Sequence, residues 1–285
     1  MNVGEIIKDA LKYPLSDWKK ILIFGIIIIV NGISTVAVSL GITNMDLKFL
    51  LVGIGFIIGF LVSGYVFKII KSSLDGKKEL PEFKNWIDMG ADGVKVFLTF
   101  IIYSIPAIII ILILTVSFFD SFTLSLESIR LNPFEFLLNP FLSVIWQGIL
   151  IISAFLYDLT MFIMPDGVIY ALIGILYMII ITPILLVAIA NMAYYEGELK
   201  SAFRFREIID EISSIGWGNL IKWYIVNGII FLIIFMGINT VISYIFSLIH
   251  IDIMGGLLTS LIIAPYFFMY FARSVALFYM PDKED

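Results

Sequence analysis

Seven stretches of this chain, each about twenty residues or longer, contain no aspartate, glutamate, lysine or arginine. They cover residues 21–42, 49–67, 96–119, 136–157, 167–195, 223–251 and 253–272. A helix needs about 20 apolar residues to cross the hydrocarbon core of a bilayer. Because every backbone amide must be paired inside the segment in lipid, these stretches predict membrane-embedded helices, despite an isoleucine content that would favour strands in water.

The composition excludes most soluble classes of protein. Hydrophobic residues make up 61% of the 285 residues and charged residues only 14%, whereas a soluble domain carries about 25% charged residues. The formal charge of −5 does not indicate a nucleic-acid partner. With no cysteine and His250 as the single histidine, disulfides, thiolate zinc sites and cysteine nucleophiles are excluded, and we expect neither metal nor cofactor. The fold class is therefore an all-α integral membrane protein.

The distribution of positive charge predicts the topology. Of the 18 lysines and arginines, all but Lys48 and Arg130 lie on one side if the chain crosses six times with both termini cytoplasmic. This arrangement requires that residues 136–157 do not cross alone, so we interpret residues 140–164 as an outer-face amphipathic or re-entrant helix. A seventh crossing is the alternative, and it would place Arg204 and Arg206 outside. The expected location is the cell membrane, as a multi-pass protein.

The predicted organisation is one membrane domain over residues 1–285. It comprises a cytoplasmic amphipathic helix (1–20), a first half with three spans (21–118), an outer segment (119–166) and a second half with three spans (167–280). The sequence Glu-Ile-Ile occurs at residues 5–7 and again at 207–209, each time within an amphipathic segment before a span. Thr182-Pro183 and Ala264-Pro265 are each followed, eight residues after the proline, by Asn191 or Arg273. These matches suggest repeated helical hairpins.

Two charged segments carry the most specific motifs. Residues 76–86 read GKKELPEFKNW and residues 195–207 read YEGELKSAFRFRE. They resemble the largely archaeal polytopic family called domain of unknown function 4013, and the resemblance extends over nearly the whole chain. The second motif is also similar, more loosely, to the membrane domains attached to some glycerophosphodiester phosphodiesterases, whose catalytic domain is absent here. The resemblance implies an integral membrane protein and brings no established activity.

Two sets of residues are candidates for function. The first is a partner-recognition set in the cytoplasmic segments: Pro81, Phe83, Trp86, Phe203, Arg204 and Arg206. A purely structural loop with interfacial aromatic residues is the alternative there. The second is a solute-path set within the spans: Asn191, Asn227 and Arg273. Polar residues that join helices are the alternative for this set.

The function expected from these features is that of a non-enzymatic scaffold or accessory subunit acting through its cytoplasmic segments. The alternative is a transporter or channel for a small neutral or lipidic solute. An enzyme is not expected, because the paired carboxylates lie among cations in solvated segments rather than in a cleft. The expected partners are the lipid bilayer and another membrane or cytoplasmic protein, with no nucleic acid.

Overall fold

A computed structural model describes residues 2–42, 44–117 and 177–280, and these residues are all-helical. The predicted crossing at 136–157, the outer helix at 140–164 and nearly all of the outer segment 119–166 lie outside the described residues. Four predicted spans, at 21–42, 49–67, 223–251 and 253–272, fall almost wholly within the described ranges, and the other two fall there in part.

The first described part contains helices α1 to α5. Helix α1 (Val3–Lys12) begins at a capping box in which Asn2 and Glu5 bind each other's backbone amides, and it ends before the short 3₁₀ turn Pro14–Ser16. The remaining helices are α2 (Trp18–Asn31), α3 (Ile33–Ser39), α4 (Met45–Leu74) and α5 (Trp86–Ser117). Residues 18–20, which the sequence analysis grouped with the amphipathic helix, therefore belong to α2.

The second described part contains helices α6 to α9, and π-helical turns lie directly before α6 and within α8 and α9. Helix α6 (Thr182–Tyr194) follows the π turn Tyr177–Ile181, and a 3₁₀ turn (Leu199–Phe203) leads to α7 (Phe205–Ile215). Helix α8 consists of Trp217–Ile230, the π turn Phe231–Gly237 and Ile238–Leu248. Helix α9 consists of Asp252–Leu258, the π turn Thr259–Ile263 and Ala264–Tyr279.

Within the described ranges, four helices are long and apolar enough to cross a membrane: Met45–Leu74, Trp86–Pro106, Trp217–Leu248 and Ile253–Tyr279. The expected first span at 21–42 is not one helix, because α2 and α3 are separated at Gly32. The expected span at 167–195 is described only from Tyr177, and its apolar helix Ile179–Tyr194 is shorter. The expected helical fold is thus confirmed for the described residues, four of whose helices are long and apolar enough for a membrane protein, while six crossings remain a prediction.

Helix α4 lies at the centre of the bundle, packed between α2, α5 and α9. Two glycines allow α4 and α5 to approach closely. A Cβ atom on Gly64 would lie 1.7 Å from the carbonyl oxygen of Met89, and one on Gly93 would lie 1.9 Å from that of Phe60. Because any larger side chain would collide with backbone, these glycines set the distance between the two helices.

The bundle has two different ends. One end, here called the charged end, carries α1, residues 75–85, residues 195–204 and α7. Its parts are joined by a hydrogen bond from the Tyr266 hydroxyl to the Leu11 carbonyl oxygen, 2.8 Å long, and by an ion pair between Lys71 and Glu196. The turn between α8 and α9, with exposed His250 at φ 58°, lies at the opposite end of those helices. Helix α1 and the end of α9 therefore share one end of the bundle.

Candidate functional site at the charged end

Residues 75–85, here called the anchored loop, connect α4 to α5 and are fixed through their backbone carbonyl oxygens. Each of six carbonyl groups accepts a hydrogen bond from one of five side chains elsewhere in the chain. The pairs are Arg273 Nη1 to Lys77 (2.9 Å), Tyr13 hydroxyl to Glu79 (3.1 Å), Lys20 Nζ to Leu80 (2.6 Å), Tyr65 hydroxyl to Pro81 (3.0 Å), and Lys68 Nζ to both Glu82 (2.8 Å) and Lys84 (3.1 Å). The donors thus replace the backbone partners that a helix or sheet would supply.

Arg273 is the most buried of the charged donors, with a relative exposure of 4%. Its Nε atom donates to Asp9 Oδ1 at 2.9 Å, and its guanidinium carbon lies 5.0 Å from the centre of the Tyr13 ring. Burial raises the pKa of the Tyr13 hydroxyl above its ordinary value. One side chain of α9 therefore joins α1, the segment after α1 and the anchored loop.

An aromatic cluster holds the second half of the anchored loop. The Phe83 ring stacks on Tyr65 with ring centres 4.0 Å apart, and it lies 6.0 Å from Trp86. Tyr65 is fully buried, Pro81 and Phe83 are half-buried, and Trp86 is 45% exposed. Of these three predicted recognition residues, the structure leaves Trp86 the most accessible.

Residues 195–204 are held in a similar way. Asn191 donates through Nδ2 to the Ser201 carbonyl oxygen at 2.9 Å, and the Tyr103 hydroxyl donates to the Ala202 carbonyl oxygen at 2.9 Å. Phe203 stacks on Tyr103 with ring centres 6.2 Å apart. The two segments thus share one arrangement. A tyrosine hydroxyl donates to a carbonyl group one or two residues before a phenylalanine, and that phenylalanine stacks on the same tyrosine.

The two positions that the sequence analysis paired, Asn191 and Arg273, have matching contacts. Each lies eight residues after a proline that is the second residue beyond a π turn, and each donates to a carbonyl group of a segment at the charged end. The Oδ1 atom of Asn191 also accepts a hydrogen bond from the Tyr279 hydroxyl group. The matched geometry agrees with the repeated hairpins suggested by the sequence.

The third predicted solute-path residue, Asn227, lies in a separate polar network between α8 and α9. Its Oδ1 atom accepts from the Tyr270 hydroxyl at 2.7 Å and from Ser274 Oγ at 3.2 Å, while its Nδ2 atom donates to the Trp223 carbonyl oxygen at 2.8 Å. Asn191 and Asn227 are 1% and 2% exposed. All three solute-path residues thus use their polar atoms in internal hydrogen bonds that involve α9, and a solute path through them stays a prediction.

The two predicted recognition arginines differ in their surroundings. Arg204 lies 4.4 Å above the centre of the Tyr195 ring and forms ion pairs with Glu198 at 3.2 Å and Glu207 at 3.4 Å. Arg206, in the first turn of α7, is exposed. The structure therefore places Arg204 in a partly exposed cluster with Tyr195, Glu198 and Glu207, and it places Arg206 at the surface.

A cleft of about 640 Å³ lies beside the anchored loop and is lined by lysines and carboxylates of α4, the loop and the start of α5. Several of these charges are paired, including Lys77 with Asp75 at 3.0 Å and Lys84 with Glu82. The hydrogen bond from Lys84 lowers the pKa of Glu82, so this carboxyl group is ionised at neutral pH. Within the described ranges, no group of three or more potential ligands could hold a metal ion.

Two of the residues that anchor these segments, Tyr65 and Tyr103, were not singled out by the sequence analysis. The carbonyl groups to which their hydroxyls donate follow 16 and 99 residues later. The local signal available was a tyrosine next to Gly64 and another next to Ser104. Neither pattern specifies a loop carbonyl as the partner.

Residues 47–243 match the model of a family described as Protein of unknown function (DUF4013). The matched range includes both anchored segments and α4 to α7, whereas α1 and α9 lie outside it. The Asp9–Arg273 pair is therefore outside the matched range, which is narrower than the expected near-complete resemblance. No curated protein and no solved structure matches this chain. The archaeal distribution and the looser phosphodiesterase similarity stay predictions.

Proposed function

This chain belongs to the family described as Protein of unknown function (DUF4013), and we propose that it is a non-enzymatic membrane scaffold or accessory subunit that binds a protein partner at its charged end. The single observation that carries the proposal is the anchored loop, in which six carbonyl groups are held by five side chains from α2, α4, α9 and the segment after α1.

The anchoring exceeds what a connection between two helices requires. Helix–helix connections need only about 2–8 residues and no side-chain bonds from distant parts of the chain. A surface that is already ordered loses less conformational entropy when a partner binds it. Five side chains, two of them lysines, donate hydrogen bonds to this one segment, and this unusual degree of order supports a recognition role.

The side chains that remain accessible on this surface are charged. Lys78, Glu79 and Glu82 of the anchored loop are exposed, and so is Arg206 at the start of α7. The Lys71–Glu196 ion pair joins α4, which precedes the anchored loop, to residues 195–204, which precede α7. Alternating charges of this kind suit a polar partner surface, where they contribute specificity and association rate more than affinity.

The alternative function, passage of a small neutral or lipidic solute, is less well supported. A path needs polar groups free to contact a solute, whereas Asn191, Asn227 and Arg273 are almost fully buried and bonded within the chain. We retain the cell membrane as the proposed location and the cytoplasm as the proposed side of the charged end, because lysines and arginines concentrate there.

The test is affinity capture of the full chain from native membranes of its host after mild crosslinking. The variants are Arg206→Glu and Lys78→Glu, which invert exposed charges without removing an anchoring bond. Lys48→Glu, a partly exposed residue in the first turn of α4 at the opposite end, is the matched control. We expect a partner captured by the wild type and by the control to be lost from both variants.

An identical set of captured proteins for all four chains would overturn the proposed recognition surface. A solute flux measured in vesicles that falls on replacing Asn191 with leucine while folding is retained would instead favour the alternative function.

A further inference from the structure

Three of the five tryptophans occupy the first residue of a helix at the charged end. Trp18 begins α2, Trp86 begins α5 and Trp217 begins α8. Their relative exposures are similar, at 53%, 45% and 44%. In each case the chain changes direction just before the indole, at Asp17, at Asn85 (φ 58°) or at Gly216 (φ 95°). Three separate helices thus begin at the charged end with an exposed indole on their first residue.

Each of these tryptophans precedes a row of exposed aliphatic residues spaced four apart, which begins four residues later on α2 and α8 and eight residues later on α5. The rows are Leu22 and Ile26 on α2; Val94, Leu98 and Ile102 on α5; and Ile221, Ile225, Ile229 and Ile233 on α8. Residues four apart lie on one face of a helix. Exposed apolar rows of this length are unfavourable in water and are expected where a helix faces acyl chains.

Exposed lysines accompany the indoles. Lys19 follows Trp18 directly, Lys84 lies two residues before Trp86, and Lys222 lies five residues after Trp217. Indole rings prefer the headgroup layer, where one edge stays hydrated, and long lysine side chains reach phosphate groups from the same depth. The apolar side chains of α1, by contrast, are buried against the bundle.

We propose that Trp18, Trp86 and Trp217 mark the water–lipid boundary at the charged end, with their indoles in the phospholipid headgroup layer. The occupant of this surface is the lipid itself rather than a protein. Lipid then faces the aliphatic rows, while α1, the anchored loop and α7 lie on the aqueous side of the indoles. Helix α1 packs on protein, and the three indoles set the depth of the bundle. This inference is independent of the proposed scaffold function.

The test uses spin labels, because the chain has no cysteine and each single-cysteine variant carries one label. The test variants are Trp18→Cys, Trp86→Cys and Trp217→Cys in phosphatidylcholine vesicles. Lys78→Cys in the anchored loop is the aqueous reference, and Ile229→Cys on α8, where the native residue is 49% exposed, is the acyl-chain reference. Collision rates with oxygen, which concentrates in lipid, and with a water-soluble nickel chelate report the depth of each label.

We expect the three test labels to share one depth, within about 5 Å or one helical turn, between the two references. Any test label that collides with the nickel chelate as often as the Lys78→Cys label, or with oxygen as often as the Ile229→Cys label, overturns the proposal.

A second measurement guards against a cysteine variant that fails to fold. It uses tryptophan fluorescence in vesicles of brominated lipids, with Trp18, Trp86 and Trp217 replaced by phenylalanine one at a time. The fluorescence that each replacement removes should be quenched more by bromine near the lipid carbonyl groups than by bromine deep in the acyl chains. Trp223→Phe is the control, because Trp223 is 1% exposed and its Nε1 donates to Ser274. Deep bromine quenching as strongly at the three test positions would contradict the proposal.

Discussion

Replacing Arg273 by methionine tests whether this buried cation has a structural role. Methionine keeps much of the apolar stem but removes the ion pair with Asp9, the hydrogen bond to the Lys77 carbonyl group and the contact with the Tyr13 ring. The three contacts join α1 and the anchored loop to α9. The variant should therefore unfold at a lower temperature than the wild type.

The magnitude follows from the burial of the two partners. Breaking a buried pair by removing one partner costs about 3–5 kcal/mol. The Arg273 side chain is 5% exposed but that of Asp9 is 41% exposed, so solvent screens part of the attraction. Losing the hydrogen bond that the charged Arg273 side chain donates to the Lys77 carbonyl group costs about 1.5–3 kcal/mol of stability. Because these figures overlap, we expect Arg273→Met to lose about 3 kcal/mol, and Asp9→Asn, which keeps an acceptor oxygen, to lose about 1 kcal/mol.

The assay is thermal unfolding of the purified chain in detergent, followed by circular dichroism. For a chain of this size, 1 kcal/mol corresponds to roughly 2–4 °C in Tm, so the expected decreases are roughly 6–12 °C for Arg273→Met and 2–4 °C for Asp9→Asn. In the double variant, the two losses should be less than additive because both changes act on one contact. Lys8→Met, an exposed change on the same helix α1, is the control and should leave Tm unchanged.

A decrease for Arg273→Met no larger than that for Lys8→Met would refute the reasoning. So would strictly additive losses in the double variant, because they would show that Asp9 and Arg273 do not act together.

Two further predictions concern packing and pH. Gly64→Ala should destabilise the chain by about 1–3 kcal/mol, because the new methyl group would collide with the Met89 backbone. Gly53→Ala is the control and should not destabilise the chain, because no other part of the bundle lies within 4 Å of its new methyl group. Equal Tm values for the two variants would contradict this prediction. Because burial raises the Tyr13 pKa above its ordinary value of about 10, its contribution to stability is complete below that pH and lost as pH rises through the raised value. Tyr13→Phe should therefore flatten the fall of Tm in alkali; an unchanged slope would contradict the assignment.

Hydropathy alone is enough to predict the helices but not where they are continuous. The window at 21–42 contains no charge and predicts one span, yet the helix breaks at Gly32 because helix continuity depends on backbone conformation rather than on side-chain polarity. In the same way, the helix that covers residues 96–117 of the predicted span begins earlier, at Trp86, since its first turns carry charged residues and escape a search for charge-free stretches.

The candidate site could be located but not interpreted from the sequence. The spacing after Pro183 and Pro265 singles out Asn191 and Arg273, and both side chains donate to carbonyl groups at the charged end. Their acceptors are chosen by the packing of distant segments, since Arg273 and the Lys77 carbonyl group are 196 residues apart. No local pattern encodes such a contact. The same limit applies to Tyr65, whose hydroxyl partner depends on how the anchored loop folds back over α4.

The anchored loop is the central claim of this account, and limited trypsin digestion in detergent tests it most directly. Lys77, Lys78 and Lys84 offer cleavage sites, and cleavage requires local unfolding of the loop. Tyr65→Phe removes one anchoring bond, worth about 1 kcal/mol, so cleavage at these lysines should become several-fold faster than in the wild type, while cleavage after Lys222 on α8 is unchanged. Equal cleavage of the loop in the wild type and in Tyr65→Phe would contradict the account.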